Sequence, residues 1–429
     1  MAKRVAILTS FNQFDPSYSL ERVAGDQIKM LLQGGYEPVV IVTDGFDPPA
    51  GSPWVDPRVK LYKTLSVPRS NDGILPTDWA EHVDRLHKSF TKILTDERVD
   101  VVITHDLIAQ AGDLVHNLAA RRAALDNPKI TWKNWVHSCF SSNMPSNILE
   151  ASKEGRSKWP TSAKVIFPNE YDRPRVARAF NVEEDDVQVV PHPTDIAGFL
   201  GFHPAITKLE EETRFFDKDV VMIAPARLDR GKQIHYNVEL AGALKRLGTS
   251  VALIVMDFSS TGGDKVTYRT EMKAQAADLG LNENDVIFMS ERVPEFSLHA
   301  PHAVVRQLMS ASNVFMSASV SETYGLTTQE AGLAGNFLVL NFDFFPTRSV
   351  FGSYGPKYYR FSSNISQDGL DGNQKTTYGD KQAYFNDIAS YIRYELATNR
   401  ILKMRTELRK TRSLRAVFKN YLEPVIYGD

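Results

Sequence analysis

Glu322 and Glu330 stand eight positions apart in Ser-Glu-Thr-Tyr-Gly-Leu-Thr-Thr-Gln-Glu-Ala-Gly, directly after the apolar run Val314–Val320. The pattern puts one carboxylate on a loop and the other in the first turns of a helix. Gly325 lies between them, where it lets backbone come close to a ligand. Unpaired N–H groups and the positive end of the helix dipole gather at such a start. These few residues could therefore hold an anion and hydrogen-bond a polyol at once, and a diphosphate joined to a sugar is one ligand that needs both. The plainer reading of an acidic residue beside a helix start is a solvated cap.

About ninety residues upstream, the run Val220–Ala224 is followed by Pro-Ala-Arg-Leu-Asp-Arg-Gly-Lys, which gathers Arg227, Arg230 and Lys232 at a strand-to-helix turn. Ligands of open parallel sheets bind at that end of the strands. Arginine grips phosphate oxygens with two parallel N–H groups and lysine adds a point charge, so the group could neutralise a diphosphate as its bond to a sugar breaks. A surface salt-bridge cluster with Asp229 is the alternative. His137, in Trp-Val-His-Ser-Cys-Phe, closes a predicted strand, and His105 with Asp106 ends the one before it. Both histidines could line one cleft, or serve as structural hydrogen-bonding groups. His192, in Pro-His-Pro-Thr-Asp, reads as a hinge residue. Cys139 reads as small-residue packing rather than half of a Cys–His nucleophile pair. His299 and His302 lack carboxylate or cysteine partners at metal-ligand spacing.

The elements that must position these groups follow from short continuous apolar runs alternating with amphipathic segments, the pattern of parallel strands covered on both faces by crossover helices. Strands are predicted at Arg4–Leu8, Pro38–Val42, Val99–Ile103, Thr131–Val136, Ala163–Phe167 and Val187–Val190. A second array runs through Val220–Ala224, Val251–Val255, Val286–Met289, Val314–Ala318 and Phe337–Leu340. Helical patterns include Ser19–Leu32, Asp84–Asp96, Ala109–Ala123 and the basic Lys381–Tyr421. Two arrays argue for two doubly wound domains, with Gly198–Lys218 as the connection. The expected division is 1–197, 198–400 and a C-terminal helical segment 401–429, which could be a solvated helix or could cross back to brace the first domain.

Composition narrows the function classes. With 429 residues and 42% hydrophobic content the chain suggests two domains of about 200 residues each. A net charge of −2 and a pI near 6.6 argue against a large basic surface for nucleic acid. One cysteine, no signal peptide and no membrane-spanning stretch point to a cytoplasmic chain. A dinucleotide oxidoreductase would want Gly-x-Gly-x-x-Gly after a first strand. The first array instead has no glycine between Leu8 and Gly25, and Thr261-Gly-Gly-Asp264 lacks the third glycine.

Taken together, Arg-Leu with a lysine five residues after the arginine, then a strand, Glu-x-x-Gly-Leu-x-x-x-Glu-Ala and a further glycine resemble the C-terminal domain of retaining GT-B glycosyltransferases of the family 4 type. Asn284–Phe288, Ala311–Ala318, Val165–Asn169 and Val189–Asp195 extend the resemblance over most of the chain. It implies two doubly wound Rossmann-like domains facing each other across a cleft. It implies a donor diphosphate on Arg227 and Lys232 with the backbone at Gly325 and Leu326, ribose hydroxyls on Glu330, and Glu322 beside the donor sugar. His137 matches the family's cleft histidine, with His105 and Asp106 as further candidates for the acceptor or sugar side. No metal or cofactor is implied; the donor would be a nucleotide-diphosphate sugar, with uridine or guanosine as base.

The chain departs from the family in the glycine-free loop Phe11–Tyr18, in Asn336 and Phe337 after Gly335, and in the aromatic Asn341–Pro346, where stacking on a ligand competes with core filling. These departures leave donor and acceptor open. The acceptor could be a glycan, a lipid, a protein side chain or a modified nucleobase. Arg121-Arg122 and Lys88–Lys92 are the basic stretches that a peripheral membrane contact would use. A non-catalytic nucleotide-sugar-binding or scaffold protein is the other class, predicting binding without turnover.

Overall fold

In the computed structural model of the chain, residues 3–68, 77–108, 110–137, 159–160, 162–258, 265–320, 322, 324–353, 355–363, 374–375 and 379–428 are described. The chain forms two compact units, Met1–Asp195 with Arg412–Asp429, and Ile196–Thr411.

The first unit contains strands β1 (Val5–Leu8), β2 (Val39–Thr43), β3 (Lys60–Thr64), β4 (Val101–His105), β5 (Thr131–Trp135), β6 (Lys164–Phe167) and β7 (Val187–Val189). They lie in the order β3-β2-β1-β4-β5-β6-β7, every neighbouring pair parallel. Alternate residues of β1 serve opposite cores. Val5 and Ile7 pack with the helix Ser19–Gln33, whereas Ala6 and Leu8 pack with Leu86, Phe90 and Trp132. That is why the run is apolar without alternation.

The chain's last residues belong to this unit. Leu414, Val417, Phe418, Leu422 and Ile426 join the core of the helix Ser19–Gln33. Gly34 makes the approach feasible, since a Cβ there would sit 2.3 Å from Cζ of Phe418. Ser413 caps the helix Leu414–Val417 by accepting from the Ala416 amide at 3.2 Å.

The second unit repeats the plan with β8 (Val220–Ala224), β9 (Val251–Val255), β10 (Val286–Phe288), β11 (Val314–Ser317), β12 (Phe337–Asn341) and β13 (Lys357–Tyr359), ordered β10-β9-β8-β11-β12-β13 and parallel throughout. The expected class, α/β with two doubly wound Rossmann-like domains, is what the chain forms. In both sheets the order reverses beside the first strand, which puts a ligand-binding switch point between β8 and β11.

Within the two parallel sheets, two strands have no counterpart in the sequence expectation, β3 and β13. Both are sheet edges with largely half-exposed side chains, so Lys60, Lys63 and Lys357 interrupt the apolar run that marks a buried strand. The expected connection Gly198–Lys218 is itself folded. It carries the helix Pro204–Thr213, and Ile206, Leu209, Phe215 and Phe216 enter the second unit's core. The basic C-terminal pattern divides at Asn399 into helices Lys381–Thr398 and Arg400–Arg412. Within the latter, Arg409 is buried and donates to the carbonyls of Phe215 and Phe216 at 2.9 and 2.7 Å, which ties that helix to the second unit.

Candidate functional site

At the carboxyl end of β8 the chain leaves the sheet through Pro225–Asp229 and makes a tight turn at Arg230–Lys232 before the helix His235–Arg246. The neighbouring β11 leads to Val320, whose amide donates to the Gly231 carbonyl at 2.9 Å and locks the two loops together. This lock sets Lys232 against Glu322: Nζ donates to Oε1 at 2.6 Å, with the side chains 16% and 27% exposed. Ninety residues of separation are closed by the parallel pairing of β8 and β11. Arg227 lies half-exposed on the same loop, 3.6 Å from Asp229. Arg230 turns elsewhere, making two hydrogen bonds to Glu271 at 2.9 and 2.7 Å and lying over the Tyr268 ring.

Gly325 caps the helix Leu326–Leu333 at φ 92° and ψ 51°, a left-handed conformation that side-chain-bearing residues adopt only at a cost. A Cβ there would also stand 3.4 Å from the Phe351 ring. Leu326 is exposed. The Gly325 carbonyl accepts from the Thr328 and Gln329 amides, so the first turn of the helix is well formed around the glycine. Glu330, one turn further on, holds His302 through Oε1 and Nε2 at 2.7 Å. The two motif carboxylates therefore have different partners, a lysine for Glu322 and a histidine for Glu330. His302 carried no expectation as a partner. It lies on another helix, His302–Ala311, and local spacing offers no signal for the contact.

The aromatic loop after β12 divides by burial. Phe344 is buried core, Phe345 is exposed, and Phe342 is covered by the guanidinium groups of Arg348 and Arg360 at 4.1 and 4.8 Å from its ring centre.

In the first unit the histidines form one assembly. His105 ends β4 and His137 lies two residues beyond β5. Their rings are 3.0 Å apart from Nδ1 of His105 to Nε2 of His137. The other nitrogen of His105 meets Oε1 of Gln27 at 3.0 Å. Trp135, His137 and His192 lie nearly parallel, with interplanar angles of 5°, 10° and 15° among them. His192 is thus part of this stack. Burial pushes the His137 imidazole down to about 3, and burial with the neighbouring histidines holds His105 well below its usual range. Both rings are neutral at pH 7.

Asp106 braces the assembly. At φ 54°, a left-handed position that Asp tolerates, its Oδ1 accepts from the His137 amide at 2.8 Å. Burial raises its carboxyl to about 6. Gln27 and Trp135 were not anticipated: Gln27 is an ordinary-looking residue of an amphipathic helix, and Trp135 reads as core.

The glycine-free loop after β1 is explained by its aromatics. Phe11 packs against Tyr18, Phe46 and Trp54 at ring separations of 6.0, 6.0 and 6.1 Å, so side chains fill the space that a glycine-rich loop would leave for backbone. The basic stretches considered for membrane contact are partly neutralised, Arg122 by Asp84 and Lys92 by Asp96. No described helix is long and apolar enough to cross a membrane. Among the described residues no group of three or more His, Cys, Asp or Glu could hold a metal ion. Cys139 and the segment Thr261–Asp264 lie outside the described residues.

No protein-family model matches the chain, and no curated protein sequence matches it. Among solved structures it is similar to a glycosyltransferase from Rickettsia africae ESF-5, at 15% identity over 100% of both chains with a TM-score of 0.38. It is similar to Anabaena HepE in complex with UDP and glucose, at 18% identity over 99% of both chains with a TM-score of 0.36. A sucrose-phosphate synthase from Thermosynechococcus elongatus is similar at 15% identity, over 99% of this chain and 96% of that one, with a TM-score of 0.35. The similarity runs end to end but at low identity and loose superposition.

Proposed function

We propose that the chain is a retaining glycosyltransferase of the GT-B type, similar to family 4, that moves a sugar from a nucleotide-diphosphate donor to a hydroxyl acceptor in the cytoplasm. The observation that carries this is the Lys232–Glu322 pair at the mouth of β8 and β11, with the glycine-capped helix Leu326–Leu333 beginning beside it. A cation, a helix start and a carboxylate are there concentrated at the switch point of a parallel sheet. Arg227, Lys232 and the backbone at Gly325 and Leu326 receive the diphosphate, and Glu330 receives the ribose hydroxyls, for which one carboxylate supplies two acceptor oxygens.

In the reaction the bond from the anomeric carbon to the diphosphate oxygen breaks and a bond to the acceptor oxygen forms. The acceptor's proton passes to the leaving diphosphate on the same face of the sugar, which gives retention. Lys232 and Arg227 stabilise the charge that develops on the leaving group, and Glu322 orients the sugar or supports its developing positive charge. His137, with His105 and Asp106, serves the sugar or acceptor side in the first unit. Uridine and guanosine diphosphate sugars are the donors to try first.

The test is a panel of uridine, guanosine and adenosine diphosphate sugars, scored by thermal stabilisation and by nucleotide release. A donor at a hundred times its Kd stabilises by about 2.7 kcal/mol. One base should stabilise and turn over, and Lys232→Ala and Glu330→Ala should abolish release while the far-UV spectrum stays unchanged. Stabilisation without turnover with any acceptor would favour a non-catalytic binding protein. Stabilisation by a nicotinamide cofactor alone would overturn the assignment.

A further inference from the structure

We propose that Gln27 and His105 are positioning residues that hold His137 as the Nε2–H tautomer, so that His137 offers its Nδ1 lone pair to a hydroxyl of the bound sugar substrate. The tautomer assignment rests on the Gln27 carbonyl oxygen facing His105, an orientation that leaves Gln27 Nε2 without a hydrogen-bond partner among the described residues. Its use on a sugar rests on the glycosyl-transfer function proposed above.

The chain of donors is set from its far end. Gln27 is fully buried on the helix Ser19–Gln33, and its Oε1 faces Nε2 of His105 at 3.0 Å. A carbonyl oxygen accepts and cannot donate, so the His105 proton sits on Nε2. A neutral imidazole has one N–H, which leaves Nδ1 of His105 bare. That nitrogen lies 3.0 Å from Nε2 of His137 and must accept, so the His137 proton also sits on Nε2. His137 has then spent its only donor within the protein. Its Nδ1 is a buried acceptor with no hydrogen-bond partner among the described residues.

The ring cannot readily exchange these roles. Flat packing against Trp135 and His192 confines it to its plane, and the Asp106 carboxylate fixes its backbone. Turning the imidazole over would bring a C–H against Nδ1 of His105 and forfeit the bond. A buried lone pair without a donor costs about 1–3 kcal/mol, so this position rewards a ligand that brings one. It also discriminates. An O–H satisfies Nδ1, whereas a phosphate or carboxylate oxygen, which only accepts, is repelled. A sugar hydroxyl has the matching chemistry.

The experiment is a long-range 1H–15N correlation spectrum of the full-length chain, ligand-free and labelled at histidine, with assignments from His105→Gln and His137→Gln. His105 and His137 should both appear as Nε2–H tautomers with unprotonated Nδ1. Gln27→Leu removes the anchoring acceptor and should give mixed tautomers at both rings. Gln27→Glu retains an acceptor and should restore the Nε2–H form. With the donor found by the panel, Gln27→Leu should lower kcat about tenfold, the lower end of the range for outer-shell partners, and Gln27→Glu should recover it.

Protonated Nδ1 at His137 in the wild-type chain would overturn the proposal, because the Gln27 amide would then face the other way. Mixed tautomers in Gln27→Leu with unchanged kcat would overturn the positioning role and leave glycosyl transfer standing. If the wild-type chain transfers no sugar, that function falls, while the spectra still decide the tautomer.

Discussion

Replacing Glu322 by glutamine separates two effects that an ordinary active-site substitution confounds. In the free protein Lys232 Nζ is 2.6 Å from the Glu322 carboxylate, and both side chains are mostly but not wholly buried. A pair of that exposure has a net worth of about 1 kcal/mol, between the near-zero value of a surface pair and the larger value of a fully buried one. A nucleotide diphosphate that engages Lys232 must first break that pair and must also approach a carboxylate of its own sign. Glu322→Gln removes both obstacles, so free UDP or GDP should bind about fivefold more tightly, the ratio that 1 kcal/mol represents. Turnover should move the other way, falling about 10²- to 10³-fold, as is typical when a group aimed at developing charge is lost. Lys232→Ala should weaken the same nucleotide by about 1.5–3 kcal/mol, the worth of a charged hydrogen bond. Calorimetric titration of the nucleotide at one fixed ionic strength, with nucleotide release measured on the same preparations, gives both numbers. Weaker diphosphate binding by Glu322→Gln, or wild-type affinity in Lys232→Ala, would refute the placement of the phosphates on this pair.

The Glu330–His302 contact and the burial of Asp106 each give a measurable outcome. Glu330→Ala should lower nucleotide affinity at least about tenfold through loss of a charged ribose contact. His302→Ala, which only frees that carboxylate, should leave affinity within about threefold of wild type; an equal loss in both variants would mean that Glu330 serves the His302 contact and not the ribose. Asp106 supplies a pH test. Burial raises its folded pKa to about 6, above the unfolded value, so the stability it contributes is complete below about pH 4 and is lost as pH rises through 6. Asp106→Asn keeps the acceptor for the His137 amide and a side chain that tolerates φ 54°, so urea melts should show it gaining on wild type by up to about 2–3 kcal/mol at pH 8 relative to pH 4. A pH-independent difference would show that the carboxyl is not desolvated.

Much of this architecture is legible in the sequence. Runs such as Val220–Ala224 and Val251–Val255 are apolar on both faces because crossover helices cover both, and that signature survives any change of neighbours. The edge strands β3 and β13 escaped because half their surface faces water, and lysine there is compatible with strand or loop. Gly325 was readable as a close-approach position from its place between strand and helix, and its positive φ agrees.

The sequence by itself determined that two parallel arrays form, that a basic turn follows β8 and that two carboxylates follow β11, because strand and helix periodicity are local properties. Tertiary structure alone decided the pairings. Of three cations on one turn, Lys232 took Glu322, Arg227 stayed with Asp229 and Arg230 went to Glu271. Glu330 took His302, and Gln27, His105 and His137 became one hydrogen-bonded chain. Which charge meets which depends on the order of strands in a sheet and on where each loop is tied down. Those are set by packing between segments ninety residues apart, such as Lys232 and Glu322, or farther, such as Phe215 and Arg409, and no window along the chain contains them.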